Sequence, residues 1–123
     1  MILAQSKSGR RFVGRLDCGS DFHESIKRIC EQHEIKCAEI RAIGAFSSVS
    51  LQDFDQDRKS FKALQRHKEP YAVLSLHGNI SSNRDEELSI VAHATLSWED
   101  RGRANVIGGR LVEARIYVLE FVL

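Results

Sequence analysis

The sequence predicts an α+β domain, mainly antiparallel sheet with one principal helix. Three observations lead there. Phe22, Ile26, Ile29 and Cys30 recur at i, i+4, i+7 and i+8, the apolar stripe of a surface helix. From Cys37 onward, apolar and polar residues alternate in successive runs, the period of strands with one buried face. Polar turns separate those runs, and 123 residues suffice for one domain with a sizeable core.

The elements follow in order. Residues 1–10 are read as a flexible N-terminal segment and 11–123 as the folded domain. Phe12-Val13-Gly14-Arg15-Leu16 reads as a short strand. Ser20 can cap the helix that follows, and Asp21 with Glu24 has capping-box spacing. The helix is expected to end near His33. Glu24–Arg28 and Lys27–Glu31 decorate its solvated face at i, i+4. Residues 37–43 alternate as a strand that Gly44-Ala45 breaks, and Val49 to Phe54 alternate again. The charged stretch 55–68, with Phe61 and Leu64 as its only large apolar anchors, reads as a loop or a short helical turn. Tyr71 to Ile80 is the next strand, with a bulge or a close backbone approach at Gly78. Leu88 to Ser97 is another, with Ile90, Ala92, Ala94 and Leu96 on one face. Trp98 to Arg103 turns the chain, Ala104 to Gly109 returns it, and Val112 to Leu123 closes the domain. That last run is apolar enough to suggest a strand buried on both faces, or one covered by a neighbouring subunit.

The charge balance narrows the partners. Eighteen Lys and Arg face seventeen Asp and Glu, a net charge of +1, so any DNA affinity has to come from a local patch. Cys18, Cys30 and Cys37 form no CxxC pair, which argues against zinc ligation and against a disulfide framework. A reducing, cytoplasmic home follows. No window of 18 apolar residues occurs, so a membrane partner is not expected.

The ordered set Gly19-Ser20-Asp21-Phe22, Ala38-Glu39-Ile40-Arg41-Ala42-Ile43-Gly44-Ala45, Leu74-Ser75-Leu76-His77-Gly78-Asn79-Ile80, His93-Ala94-Thr95-Leu96 and Gly108-Gly109-Arg110-Leu111 resembles the PPC domain, conserved in plants and prokaryotes. The resemblance covers residues 11–123. It implies a single-helix α+β fold assembled as a homotrimer and associated by family with DNA binding. It also shows departures. Where members often carry His-x-His this chain has Val91-Ala92-His93, and where they carry Gly-Gly-His it has Gly108-Gly109-Arg110. Zinc takes about three protein ligands even at an open site. Val91 cannot ligate and Arg110 is a permanent cation, so neither a metal nor another cofactor is expected. The plant segment Gly-Arg-Phe-Glu-Ile-Leu is replaced by Glu69-Pro70-Tyr71-Ala72-Val73-Leu74, so partner specificity does not transfer.

The ligand-binding candidates are His77, His93, Gly108, Gly109 and Arg110; no catalytic residue is assigned. The histidines suit a pocket, although a strand histidine is more often packed and hydrogen-bonded. The two glycines permit close backbone approach, and the Arg110 guanidinium matches a carboxylate or phosphate. The competing role for Arg110 is an ion pair with Glu113 or with a carboxylate of a neighbouring subunit. His23, His33 and His67 are expected on the surface, and Cys18 as an inert, half-buried thiol. Arg101-Gly102-Arg103 resembles an AT-hook core, but a charged hairpin turn suits it better because Ala104 replaces the hook's proline. The favoured function is a non-enzymatic homotrimeric interaction module with weak DNA affinity. The alternative is a small-anion pocket or weak enzyme between subunits around His93, His77 and Arg110.

Overall fold

The computed structural model describes residues 1–123. Its elements are β1 (Val13–Leu16), α1 (Phe22–Gln32), β2 (Ala38–Gln52), β3 (Phe54–Asp55), β4 (Ser60–Phe61), β5 (Gln65–His67), β6 (Tyr71–Ser82), β7 (Leu88–Asp100) and β8 (Arg103–Val122). Residues 1–10 lie outside them and are exposed. Asp21 is the N-cap of α1: its carboxylate accepts the Glu24 N–H at 3.0 Å, so one orphan donor of the first turn is satisfied. The Ser20 hydroxyl instead donates to the Asp17 carbonyl at 2.6 Å. Phe22, Ile26 and Cys30 bury the helix stripe against the sheet, chiefly β8. A fully buried Phe or Ile side chain contributes about 1.5–3 kcal/mol relative to exposure.

The main sheet runs β1-β8-β7-β6-β2-β5, and β8 also pairs with β2. All these pairings are antiparallel. The extra pairing closes β2, β6, β7 and β8 into a ring, which removes their free edges. The core lies on the inner face and includes Ile40, Phe46, Leu76, Ile80, Leu96, Ile116 and Leu119, each at most 2% exposed.

Four sequence expectations change. Gly44 does not end a strand: β2 runs through it, with a register shift between Ala42 and Gly44 in its pairing with β6. Gly44 has φ +149, and a Cβ there would collide with the Val118 carbonyl oxygen of β8, so only glycine lets the two strands approach. Second, within one protomer the apolar C-terminus is buried on one face rather than both. Ile116, Leu119, Phe121 and Leu123 face the protomer's own core, while Tyr117 and Glu120 face water. A register shift between residues 116 and 118, opposite Phe46 and Ala45, makes this alternation skip one residue. Third, β8 is one strand of 20 residues rather than two. Fourth, residues 55–68 hold parts of three short strands. Phe54 and Phe61 pair across the β3–β4 hairpin, whose loop is held by Asp55, its Oδ1 accepting the Asp57 and Arg58 N–H groups.

The β7–β8 hairpin turns at Arg101 and Gly102, with φ +49 and +76. Two central residues with positive φ make the primed turn whose twist suits a two-residue hairpin. Arg101-Gly102-Arg103 is therefore a hairpin turn with its first strand residue.

Candidate functional site

The residues singled out in the sequence meet on three adjacent strands. His77 on β6 is the direct partner of His93 on β7, and His93 is the direct partner of Arg110 on β8. The row extends both ways around the ring: His77 is also opposite Arg41 of β2, and Arg110 is opposite Gln52 at the far end of β2. Side chains directly opposite one another have Cβ atoms about 4.5–5.5 Å apart. The alternation of strands puts this row outside. Leu76, Ala92, Ala94 and Leu111 are buried beside it, while Arg41, His77 and His93 are exposed and Arg110 is partly so. The result is a line of two arginines and two imidazoles across an open sheet face, not a closed pocket. A shallow depression lined by Arg15, Leu16, Asp17, Cys18, Tyr117 and Val118 lies elsewhere.

Arg110 is not the partner of Glu113. Its guanidinium carbon lies 5.0 Å from the centre of the Phe61 ring, a cation–π contact. Phe61 in turn meets Phe54 edge-on at 5.3 Å. Two hydrogen bonds tie this hairpin to the end of β2: Gln52 Nε2 donates to the Lys62 carbonyl at 2.9 Å, and the Lys62 N–H donates to the Asp53 carbonyl at 2.8 Å. Gly109 faces inward opposite Ala94, and a Cβ there would lie 3.0 Å from Asp53 Oδ1. Gly108 is opposite Thr95. His77 Nε2 lies 3.9 Å from Glu39 Oε1, an exposed pair worth little energy in water.

Two histidines expected on the surface are partly buried. His23 meets Phe22 edge-on at 5.1 Å, and its Nδ1 is buried without a hydrogen-bond partner. Burial holds its pKa below the ordinary 6.5; Asp21 and Glu113 oppose this and Arg110 adds to it. Only the adjacent Phe22 hinted at this in the sequence. His67 shares a 3.2 Å hydrogen bond with the Tyr71 hydroxyl, and Trp98 packs edge-on against Tyr71 at 5.2 Å. Cys18 is exposed rather than half-buried, whereas burial raises the Cys30 thiol pKa. No group of three or more His, Cys, Asp and Glu residues is placed to hold a metal ion. Val91, exposed on β7 opposite Asn79, and Arg110 leave the row with two imidazoles, so these residues do not fit a zinc site within one protomer.

The whole shape has known counterparts. A metal-containing protein of Archaeoglobus fulgidus is 32% identical, with 99% of this chain and 83% of that one covered and a TM-score of 0.87. A plant- and prokaryote-conserved (PPC) protein of Pyrococcus horikoshii is 30% identical, with 99% and 82% covered and a TM-score of 0.88. A protein of Bacteroides thetaiotaomicron, proposed in its name to bind DNA, shares the fold at 23% identity and a TM-score of 0.81, with 95% and 79% covered. No curated protein matches the chain in sequence. The profile of the Plants and Prokaryotes Conserved (PCC) domain, written PPC above, matches residues 3–123. The chain therefore belongs to that family, and its single helix and ring-closing sheet are one member's version of the fold.

Proposed function

We propose that this protein is a non-enzymatic homotrimeric interaction module whose outer row of two arginines and two histidines engages an anionic partner. The observation that carries the reading is the direct register of Arg41, His77, His93 and Arg110 across four strand positions on one exposed face. Such a face suits binding better than chemistry, because water screens charge there and no preorganised dry site forms. DNA is the partner class that the names of two relatives, from Bacteroides thetaiotaomicron and Ralstonia eutropha, point to. The near-neutral balance of the chain limits that affinity to the non-specific range, about 10⁻⁴–10⁻⁶ M. Self-association is supported by exposed Val13, Ile43, Leu74, Val106 and Tyr117, area that a second copy would remove from water. The three free cysteines fit a reducing, cytoplasmic location. A second reading, a small anion held at the row between subunits, is favoured by Arg110, whose guanidinium has no carboxylate partner.

Light scattering at micromolar concentration tests the assembly: three times the protomer mass is expected, and a monomer mass refutes it. Anisotropy titration with duplex DNA over a salt series tests the surface. Affinity should fall steeply with salt, and Arg41→Ala and Arg110→Ala should each lower the slope by about one. Unchanged slopes in both variants would remove the row from the interface.

A further inference from the structure

We propose that residues 1–9 are an exchanged arm: Met1, Ile2 and Leu3 of one copy of this chain pack into the depression of the next copy, the hollow lined by Leu16, Cys18, Tyr117 and Val118. This rests on the self-association proposed above and names a contact that makes it.

Three consecutive large apolar side chains stand free of the domain. Met1, Ile2 and Leu3 are 114%, 102% and 87% exposed, so their own protomer does not cover them. The root of the segment, by contrast, is fixed. The Phe12 N–H donates to the Leu123 carbonyl at 2.8 Å, and the Leu123 N–H donates to the Phe12 carbonyl at 2.9 Å. The Phe12 ring centre lies 4.8 Å from that of His33, and Arg10 Nη2 donates to the His33 carbonyl at 2.7 Å. Residues 1–9 therefore leave the domain from one defined point, beside the C-terminal end of α1 and the start of β1. Nine extended residues span up to about 30 Å, the diameter of a small domain, so they reach a neighbouring copy.

The depression is the matching hollow. Tyr117 on its wall is 64% exposed, apolar ring surface that the protomer itself leaves in water. Of the two charged residues at the hollow, Arg15 is engaged by Glu120 at 2.9 Å, while Asp17 takes part in no ion pair. That open carboxylate suits an approaching segment which carries Lys7 and Arg11 and, up to residue 12, no acid.

Symmetry and direction select a second copy as the occupant. A cyclic trimer is built from heterologous contacts, in which one patch of a protomer meets a different patch of the next. A projecting apolar arm and a separate hollow supply such a pair. The hollow of the same protomer lies at the opposite end of β1 from the root, so reaching it would need a chain reversal at residues 9–11 and a return beside β1. Phe54 and Phe61 are a poorer knob, because they cover one another and Arg110 lies over Phe61.

Disulfide trapping tests the contact. Leu3→Cys in a Cys37→Ser background, oxidised with copper–phenanthroline, should join copies through the exposed Cys18 into covalent dimers and trimers on a non-reducing gel. The same change in a Cys18→Ser background, with the exposed Cys37 kept, should not. Joining confined to the Cys18 background establishes the arm. A bond formed within a single chain, equal joining in both backgrounds, or no joining overturns the arm and leaves self-association standing. A monomer mass for the wild type in light scattering overturns both. Ile2→Ser combined with Leu3→Ser lies outside the folded core, and it should raise the protein concentration at which the oligomer dissociates about tenfold. An unchanged dissociation concentration refutes the arm.

Discussion

Replacing Gly44 by alanine should be among the most damaging single-methyl changes in this domain, and two other glycines separate the reasons. Gly44 has φ +149, and an added Cβ would strike the Val118 carbonyl oxygen and lie 2.9 Å from Leu119 Cα. Both are backbone atoms of β8, so no side-chain rotation relieves the contact. Gly78 has no such φ; its added Cβ would lie 2.8 Å from the Val91 carbonyl oxygen and 3.0 Å from Ile40 Cγ2. Gly102 has φ +76 with open space around it. An L-residue in that left-handed region costs about 1–2 kcal/mol, and overpacking costs about 1–3 kcal/mol. Gly102→Ala should therefore lose about 1 kcal/mol, Gly78→Ala about 2 and Gly44→Ala about 4. At roughly 4 °C per kcal/mol, Gly44→Ala lowers Tm by about 15 °C, a large part of a total stability of about 5–15 kcal/mol. Thermal and urea unfolding check the order, at one fixed protomer concentration because association shifts the midpoint. If Gly44→Ala loses no more than Gly102→Ala, the close crossing of β2 and β8 is not what demands glycine.

Stability should also depend on pH through His23. Its folded pKa is depressed, so below the ordinary 6.5 the unfolded chain binds more protons and stability falls as pH drops toward the folded value. His23→Phe should flatten that part of a urea-midpoint profile; an unchanged slope would assign the acid sensitivity elsewhere. Phosphate or sulfate should raise the Tm of the wild type more than that of Arg110→Ala, the binding itself stabilising the fold by about 2.7 kcal/mol at a hundredfold excess over Kd. Equal shifts would make Arg110 a structural partner of Phe61 alone. Elemental analysis of protein purified without chelator should find less than one zinc per protomer, because Val91 and Arg110 cannot ligate. A stoichiometric metal would mean that ligands from two protomers combine.

Local chemistry made several elements legible. The helix follows from a stripe at 3.6-residue spacing and a carboxylate three residues before an N–H it can accept, both of which act within one turn. The β7 face follows from strict alternation over Leu88–Leu96, and the β6 face does so except at Leu74-Ser75, where the register shifts, because each strand buries one face only. His77, His93 and Arg110 could be named from the order of motifs along the chain. Their lining up side by side needed strand register, which depends on pairings between residues far apart in sequence. The same holds for Arg41, which joins the row only because β2 pairs with β6. Gly44 looks like a strand break in isolation, since its φ and lack of a side chain gain meaning only when β8 crosses it. Likewise the apolar run at the C-terminus cannot reveal by composition what covers it. In the folded chain the protomer's own helix and ring do, because a register shift opposite Ala45 and Phe46 turns Leu119, Phe121 and Leu123 to the inner face and leaves Tyr117 and Glu120 in water.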